Sequence, residues 1–268
     1  MTPQQDAQQY LERRLARLAE VLQVRPDALG LLALGSVGLE TARIDAWSDL
    51  DFFVIVRPGA KSAYIARLDW LAEAHPLVWH FQNTVDGHKA LMADGLFCEF
   101  AVFEPQELAR IPYAPGRFVW RHDELPAALA QPAMALPAPA ERAWLIGELL
   151  SNLIIGLQRH ARGEHLAAAR MVQVHALHRL LELLDLQRPS APGLRDPFNA
   201  DRRVELRHPA QRAFLAQAAG GYASTPQAAA ALLQQLLDLG LPVDPAAAAR
   251  VRQLIDITLT HTAIPEAS

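Results

Sequence analysis

Two aspartates stand two positions apart at the start of a strand pattern. They are Asp49 and Asp51 in the segment SDLDFFVIV (48–56), and Pro58-Gly59 ends the pattern. Because side chains alternate along a strand, both carboxylates would project from one face, roughly 6–7 Å apart. Carboxylates at that distance repel each other unless a cation lies between them. Mg²⁺ accepts one or two carboxylates and completes its shell with water and phosphate oxygens, so the pair predicts a magnesium site.

A glycine-serine pair precedes this strand. The apolar run LGLLAL (29–34) predicts a buried strand that ends at Gly35-Ser36. Glycine permits close backbone approach, and Ser36 with the amides after it would open a helix whose N-terminus binds phosphate. Ser48 is a further candidate for nucleotide contact, while Arg43 would either clamp a phosphate or be a solvated loop residue. Phosphate and metal sites on neighbouring strands predict a nucleotide that binds with its metal.

A third acid lies in the segment LFCEFAVF (96–103). Glu99 is the only charged residue of this apolar run, where an unpaired carboxylate is costly to bury. If its strand lies beside the Asp49/Asp51 strand, Glu99 faces the same cleft and can ligate a metal or take a proton from an attacking hydroxyl. The alternative is a strand residue that faces solvent.

The surrounding pattern predicts the elements that position these residues. Thr2-Pro3 precedes an amphipathic helix over 4–22, and 61–74 is helical. Strands are predicted over 29–34, 49–56, 77–84, 88–93, 96–103 and 117–122, with Asp-Gly turns joining the fourth to its neighbours. Helices are predicted over 141–162, 164–186, 208–218, 226–239 and 244–262. The fold class is therefore α+β, with a mixed-sheet domain (1–123), a Pro/Ala-rich linker (124–140) and an all-helical domain (141–268).

The composition of the chain limits the kinds of partner that the protein is expected to bind. The chain has 268 residues, 51% of them hydrophobic, which is ample for a packed core. Its net charge of −4 argues against a long nucleic acid as partner, because duplex binding normally needs a basic surplus. The single cysteine, Cys98, forms no internal disulfide and is expected to be an inert packed thiol. The N-terminal segment has no signal-peptide core and no apolar run reaches eighteen residues, so a cytoplasmic protein without a membrane partner is expected.

The order of a strand, Gly-Ser, a loop, Trp-Ser-Asp-Leu-Asp and a further acidic strand resembles the nucleotidyltransferase superfamily with the polymerase-β-like fold. Within it, the match is closest to the lincosamide nucleotidyltransferases, which add a C-terminal helical domain. The similarity is specific only between about residues 30 and 108. One departure is that Glu40-Thr41-Ala42 stands where such enzymes often have a second glycine.

The resemblance implies an Mg²⁺-dependent enzyme that transfers a nucleoside monophosphate, AMP from ATP or the equivalent from another nucleoside triphosphate, to a hydroxyl of a small molecule. By resemblance, Gly35 and Ser36 contact the phosphates, and Asp49 and Asp51 hold two Mg²⁺ ions. Glu99 would be the catalytic base or third metal ligand. The resemblance also implies a homodimer, antibiotic modification, and a helical domain that closes over the acceptor.

Several alternatives remain open at this stage. The acceptor is a lincosamide-like sugar or an aminoglycoside, and the nearly neutral helical half weakly favours the less cationic one. A protein side chain or an RNA end, as in toxin–antitoxin relatives, would be a different acceptor class. A degenerate domain that binds nucleotide without turnover is the non-enzymatic alternative.

Other conspicuous residues have structural interpretations. His175, His178 and Glu182 are at helical spacings that suit zinc, but a partly buried helix face is the preferred interpretation. The arginine-rich segment 195–209, which includes Arg202 and Arg203, predicts an ion-pair network, with a contact to triphosphate or a partner subunit as the alternative. Trp47 is expected to pack the loop before the acidic strand, with stacking on the substrate as the alternative.

Overall fold

The computed structural model describes residues 2–135, 138–189, 194–196 and 198–262. The chain divides into two compact units, residues 1–136 and 137–268. The first contains a six-stranded sheet with helices and the second is helical, as the α+β prediction requires. No helix in the described ranges has the length and apolar character needed to cross a bilayer.

The sheet of the first unit contains every strand that the sequence predicts. The strands are β1 (Ala28–Ala33), β2 (Leu50–Val56), β3 (Leu77–Gln82), β4 (Gly87–Met92), β5 (Phe97–Phe103) and β6 (Arg117–Arg121). Their order is β3-β4-β5-β2-β1-β6. Strands β2 and β5 run parallel and the other neighbouring pairs run antiparallel. The assumed adjacency of the Asp51 and Glu99 strands is therefore correct.

One face of the sheet packs against helix α1 (Pro3–Gln23). The Thr2 side chain caps this helix, and Gln5 completes a capping box. Its buried leucines meet alternate residues of the central strands, such as Phe52 and Val54, in the main core of this unit. Because side chains alternate along each strand, Asp51 and Glu99 are left on the opposite face.

The predicted helix over 61–74 is two short helices, α2 (Lys61–Ala66) and α3 (Asp69–Ala74). The backbone is extended at Arg67, which interrupts the helix. This break lets Trp70 enter the core, where its indole N–H donates to the Tyr64 carbonyl oxygen at 3.1 Å. A single helix was therefore the wrong prediction here.

The second unit is built from helices with a leucine-rich core. They are α4 (Arg142–Ala161), α5 (His165–Arg170), a π-helical turn (Met171–Ala176), α6 (Leu177–Gln187), α7 (Val204–Arg207), α8 (Arg212–Ala218), α9 (Thr225–Asp238) and α10 (Pro245–Thr262). The prediction over 208–218 is corrected in one detail: a 3₁₀ turn, Pro209–Gln211, precedes α8. Proline lacks the backbone N–H that a continuous helix would use there.

Candidate active site

Strand register aligns Asp51 and Glu99 on the sheet face opposite α1, which is open at these residues and covered farther along β2 and β5 by a core that includes Ile55 and Phe103. Asp51 of β2 lies directly opposite Glu99 of β5, and Glu99 lies opposite Lys89 of β4. Directly paired residues of neighbouring strands share a face. Asp49 comes two residues before Asp51 and is half-buried, like Asp51. The structure thus places Asp51 opposite a glutamate of the next strand, with Asp49 just before the start of β2.

Gly35 forms the wall of this site beside Asp51. Its φ of +53° lies in the left-handed region, and a Cβ built on it would stand 3.1 Å from Asp51 Oδ2. A side chain at this position would therefore be strained and would press on the carboxylate. Glycine is needed before Ser36 because the turn approaches Asp51 this closely.

The segment that follows Gly35 is not the helix predicted to start at Ser36. It is a single 3₁₀ turn, Gly35–Val37, in which the Gly38 amide donates to the Leu34 carbonyl oxygen at 2.8 Å. A Cβ on Gly38 would meet the Ala33 carbonyl oxygen at 2.8 Å, so the chain can fold back this tightly only with glycine there. Gly38 also supplies a second glycine for the loop, two residues after Ser36 rather than four.

Arg117, which sequence reasoning missed, fastens this turn to the sheet. It begins β6, and its Nε donates to the carbonyl oxygens of Val37 and Gly38 at 3.0 and 3.1 Å. One guanidinium group therefore fixes the backbone that follows Gly35-Ser36. No sequence pattern links Arg117 to this loop, because the contact depends on the pairing of β6 with β1, some eighty residues earlier in the chain.

The other two predicted nucleotide contacts have partners within their own loop. Arg43 forms an ion pair with Glu40, three residues before it. The Ser48 hydroxyl accepts a hydrogen bond from the Asp45 amide at 3.0 Å, within a turn that Asp45 organises. Both side chains shape the loop between β1 and β2. In the described interactions, neither is paired with Asp49, Asp51 or Glu99.

The surroundings of Glu99 differ from the apolar environment expected from its strand. Its side chain is 46% exposed, and its carboxylate pairs with Lys89 Nζ at 3.2 Å. Asn83 Nδ2 donates to its other oxygen at 3.4 Å. Glu99 shares a face with Asp51, whereas its apolar neighbours Cys98 and Phe100 fall on the packed face, so the carboxylate is not surrounded by apolar side chains.

The donor set suits Mg²⁺ better than a protein-only metal cage. Within the described ranges, no three His, Cys, Asp or Glu side chains form a metal-binding cluster. Mg²⁺ does not need such a cluster, since it takes one or two carboxylates together with waters and substrate phosphates. Asp49 and Asp51 supply two carboxylates beside a turn that only glycine can form. Glu99 instead pairs with Lys89 on the neighbouring strand.

A cavity of about 740 Å³ opens beside Asp49. It is bounded by the start of α1, the loop before β2 and the turn between β4 and β5, and its acids include Asp6, Asp45 and Asp94. Trp47 lines it with 93% of its surface exposed, so the predicted packing role of this indole is wrong.

Asp94 has a structural role at the edge of this cavity. Its carboxylate accepts hydrogen bonds from the Tyr10 hydroxyl at 2.7 Å and from Arg14 at 2.6 Å. Burial opposes ionisation of Asp94, but these hydrogen bonds outweigh it and lower the pKa of the carboxyl group. Burial, followed by the hydrogen bond to Asp94, raises the pKa of Tyr10 to about 12. This cluster holds α1 against the β4–β5 turn.

Two structural interpretations from the sequence are confirmed. Cys98 is fully buried on the packed face, and burial raises the pKa of its thiol to about 12, as expected of an inert thiol. The arginine-rich segment is an ion-pair network: Arg207 and His208 both bind the buried Asp185, and Arg202 binds Asp196. These ion pairs give the arginines a structural role within the helical unit.

Of the histidines singled out in the sequence, His178 is half-buried on α6, whereas His175 in the turn before it is exposed. His178 Nε2 lies 3.6 Å from Asp201, and Glu182 pairs with Arg179 at 3.1 Å. In the part of the chain that the structure describes, these residues do not gather into a metal-binding group.

No family model and no curated protein matches the chain. Among solved structures, it is similar to an aminoglycoside 6-adenyltransferase from Bacillus subtilis, with 12% identity over 92% of this chain and 98% of that chain and a TM-score of 0.35. It is also similar to E. coli CdnC with ATP, with 16% identity, coverage of 96% and 83%, and a TM-score of 0.29. A third similar structure is the CD-NTase CdnG from Bradyrhizobium diazoefficiens in complex with GTP, with 12% identity over 95% of this chain and 93% of that chain and a TM-score of 0.25. TM-scores below 0.5 do not assign the chain to a family.

Proposed function

We propose that this protein is an Mg²⁺-dependent nucleotidyltransferase that transfers a nucleoside monophosphate, AMP from ATP or the equivalent from another nucleoside triphosphate, to a hydroxyl of a small molecule. The proposal rests on the contact of the Gly35 turn with Asp51, which lies directly opposite Glu99 on the neighbouring parallel strand. We call Asp49, Asp51 and Glu99 the acidic row. A tight glycine turn supplies close backbone approach for phosphates. Paired aspartates supply the charge that a magnesium-bound triphosphate requires.

The residues of the row have separable roles in this proposal. Asp49 and Asp51 hold Mg²⁺, two ions in the full proposal, which when bound neutralise the phosphate charge that develops during transfer. The Gly35-Ser36 turn, fixed by Arg117, positions the phosphates that leave as pyrophosphate. Arg43 and Ser48, which shape the loop between β1 and β2, are further candidates for nucleotide contact.

Glu99 is the proton acceptor in the transfer step. The acceptor oxygen forms a bond to the α-phosphorus while the bond from that phosphorus to the pyrophosphate oxygen breaks. The proton of the attacking hydroxyl passes to the Glu99 carboxylate, and pyrophosphate leaves with the electron pair of the broken bond. Lys89 holds the carboxylate by an ion pair on the adjacent strand, which fixes its position for this transfer.

A lincosamide-like sugar is the first proposed acceptor. We propose that the protein is a cytoplasmic homodimer. In each copy, the catalytic domain (1–123) is joined by the segment 124–140 to a substrate-binding and dimerisation domain (141–268). A polycationic acceptor such as an aminoglycoside is the second candidate. It is favoured by the cavity beside Asp49, whose lining includes Asp6, Asp45 and Asp94. Carboxylates attract amines, although the ion pair of Asp94 with Arg14 already neutralises one of them.

An acceptor screen tests the proposal. Purified protein is incubated with Mg²⁺, each nucleoside triphosphate and a panel of lincosamides, aminoglycosides and simple glycosides, and pyrophosphate release is measured. We expect release that needs both Mg²⁺ and one acceptor class, and that Asp51→Asn abolishes. Asp123→Asn, the same change at an exposed aspartate of this unit, is the matched control. Labelling of lysate protein or RNA from radioactive ATP, without release on any small molecule, would contradict the small-molecule proposal.

A further inference from the structure

The strand order fixes the side from which an acceptor must reach the site. Across the sheet, the Gly35 turn follows β1, Asp51 belongs to β2 with Asp49 just before it, and Glu99 belongs to β5. Strands β4 and β3 extend the same row beyond Glu99, away from the turn. If pyrophosphate leaves toward Gly35, an in-line attack brings the hydroxyl from the opposite side. The acceptor therefore lies over β5, β4 and β3.

Two aromatic side chains lie exposed on that part of the open face. Phe81 of β3 is directly opposite Lys89, which is opposite Glu99, so Phe81 lies on the same cross-strand line as Glu99. Trp79 lies two residues earlier on the same face, opposite Leu91. Trp79 is 48% and Phe81 44% exposed, and their ring centroids are 5.1 Å apart. Large apolar side chains exposed together on a strand are typical of a binding surface.

Charge on this face favours an acceptor ring of little net charge. Lys89 and Glu99 form an ion pair, so the row between the aspartates and the aromatic pair is locally neutral. Two strand spacings separate Glu99 from Phe81, which is about 10 Å. A molecule that places a hydroxyl at Glu99 and a ring on Phe81 must span that distance.

We propose that Trp79 and Phe81 form the acceptor platform, which stacks an uncharged ring of a hydroxyl-bearing compound, such as the aglycone of a glycoside, about 10 Å from the attacking oxygen. This inference rests on the proposed function, because the in-line argument requires pyrophosphate to leave on the Gly35 side. It assigns acceptor specificity to the edge strand β3, in which His80, between the two aromatic residues, faces the other way, opposite Ala90.

The probe is p-nitrophenyl β-D-glucoside, compared with methyl β-D-glucoside, which has the same sugar without the aryl ring. Binding of each to the full chain is measured by titration calorimetry in the presence of Mg²⁺ and α,β-methylene-ATP. We expect the aryl glucoside to bind at least about tenfold more tightly, and Trp79→Ala or Phe81→Ala to remove most of this preference. His80→Ala, a change at an exposed residue on the reverse face of the same strand, should leave it intact.

Several outcomes would overturn the platform. These are no aryl preference in the wild type, an equal loss in His80→Ala, or a loss of α,β-methylene-ATP affinity in Trp79→Ala, which would make the nucleobase the occupant. Light scattering is measured in parallel: conversion of a dimer to a monomer by Phe81→Ala with unchanged aryl preference would assign the face to a second copy of the chain. Failure of the wild type to bind α,β-methylene-ATP would instead refute the proposed function, which separates the two failures.

Discussion

Replacement of Gly35 by alanine tests the contact on which the proposed site depends. The φ of +53° makes alanine strained there, which should cost about 1–2 kcal/mol of unfolding free energy. The new Cβ would also stand 3.1 Å from Asp51 Oδ2, so the carboxylate must move by a few tenths of an ångström. Since a misplacement of about 1 Å can cost about a hundredfold in rate, this shift should cost about tenfold in transfer and weaken Mg²⁺-dependent nucleotide binding.

Gly59→Ala separates the strain from the contact. Gly59 has a φ of +86° and no atom within 4 Å of a built Cβ. The backbone penalty should therefore be similar, while the acidic row stays undisturbed. Urea unfolding measures the stability of each variant, and calorimetric titration with α,β-methylene-ATP and Mg²⁺ measures binding.

The two glycines should lose comparable stability, but only Gly35→Ala should lose nucleotide affinity. If Gly35→Ala binds the analogue as the wild type does, the proposed role of this turn is refuted. Equal loss of affinity in both variants would equally refute it, because general destabilisation would then explain the effect.

Other predictions concern the supports of the site and of the helical unit. Arg117→Gln should weaken binding of Mg²⁺ and α,β-methylene-ATP about tenfold, whereas Arg121→Gln, at the other end of the same strand and also bonded to backbone carbonyls, should not. Equal effects in calorimetry would assign Arg117 a general structural role. Asp94→Asn should lower the unfolding free energy by about 2 kcal/mol at pH 7. Because the pKa of Asp94 is lower in the folded than in the unfolded protein, its carboxylate stabilises the fold above the unfolded pKa of 3.8, and this stabilisation is lost as the pH falls through the folded pKa. The urea unfolding curves of the mutant and the wild type should therefore converge in acid. A difference that persists under full protonation would contradict this assignment. Asp185→Ala leaves the buried charge of Arg207 without its carboxylate and should cost about 3–5 kcal/mol of stability, measured by denaturant unfolding. A loss below about 1 kcal/mol would show that the network is not stabilising.

The sequence predicts the sheet because its strands have strong local signals. Alternation at Asp49 and Asp51, and Asp-Gly pairs on either side of β4, specify strands and hairpins without reference to the rest of the fold. The parallel pairing of β2 with β5 is not local, since two helices and two strands separate them in the chain. It was therefore an assumption that only the structure could test.

Errors at the site have the same origin. The sequence shows Glu99 among apolar neighbours, but alternation sends those neighbours to the packed face and leaves the carboxylate with Lys89 of another strand. Arg117 was missed because its carbonyl partners are brought to it by strand pairing. The exposed Trp79 and Phe81 could be identified only once β3 was known to be an edge strand.

Calorimetric titration with α,β-methylene-ATP, with Mg²⁺ and again with EDTA, tests the central claim most directly. The wild type and the Asp123→Asn control should bind the analogue in Mg²⁺ and lose at least about tenfold of that affinity in EDTA, or about 1.4 kcal/mol. Asp51→Asn, with its fold verified by thermal unfolding, should bind weakly in both buffers. Wild-type affinity of Asp51→Asn in Mg²⁺ would contradict the assignment of Asp49 and Asp51 as the site where a metal-bound nucleotide is held.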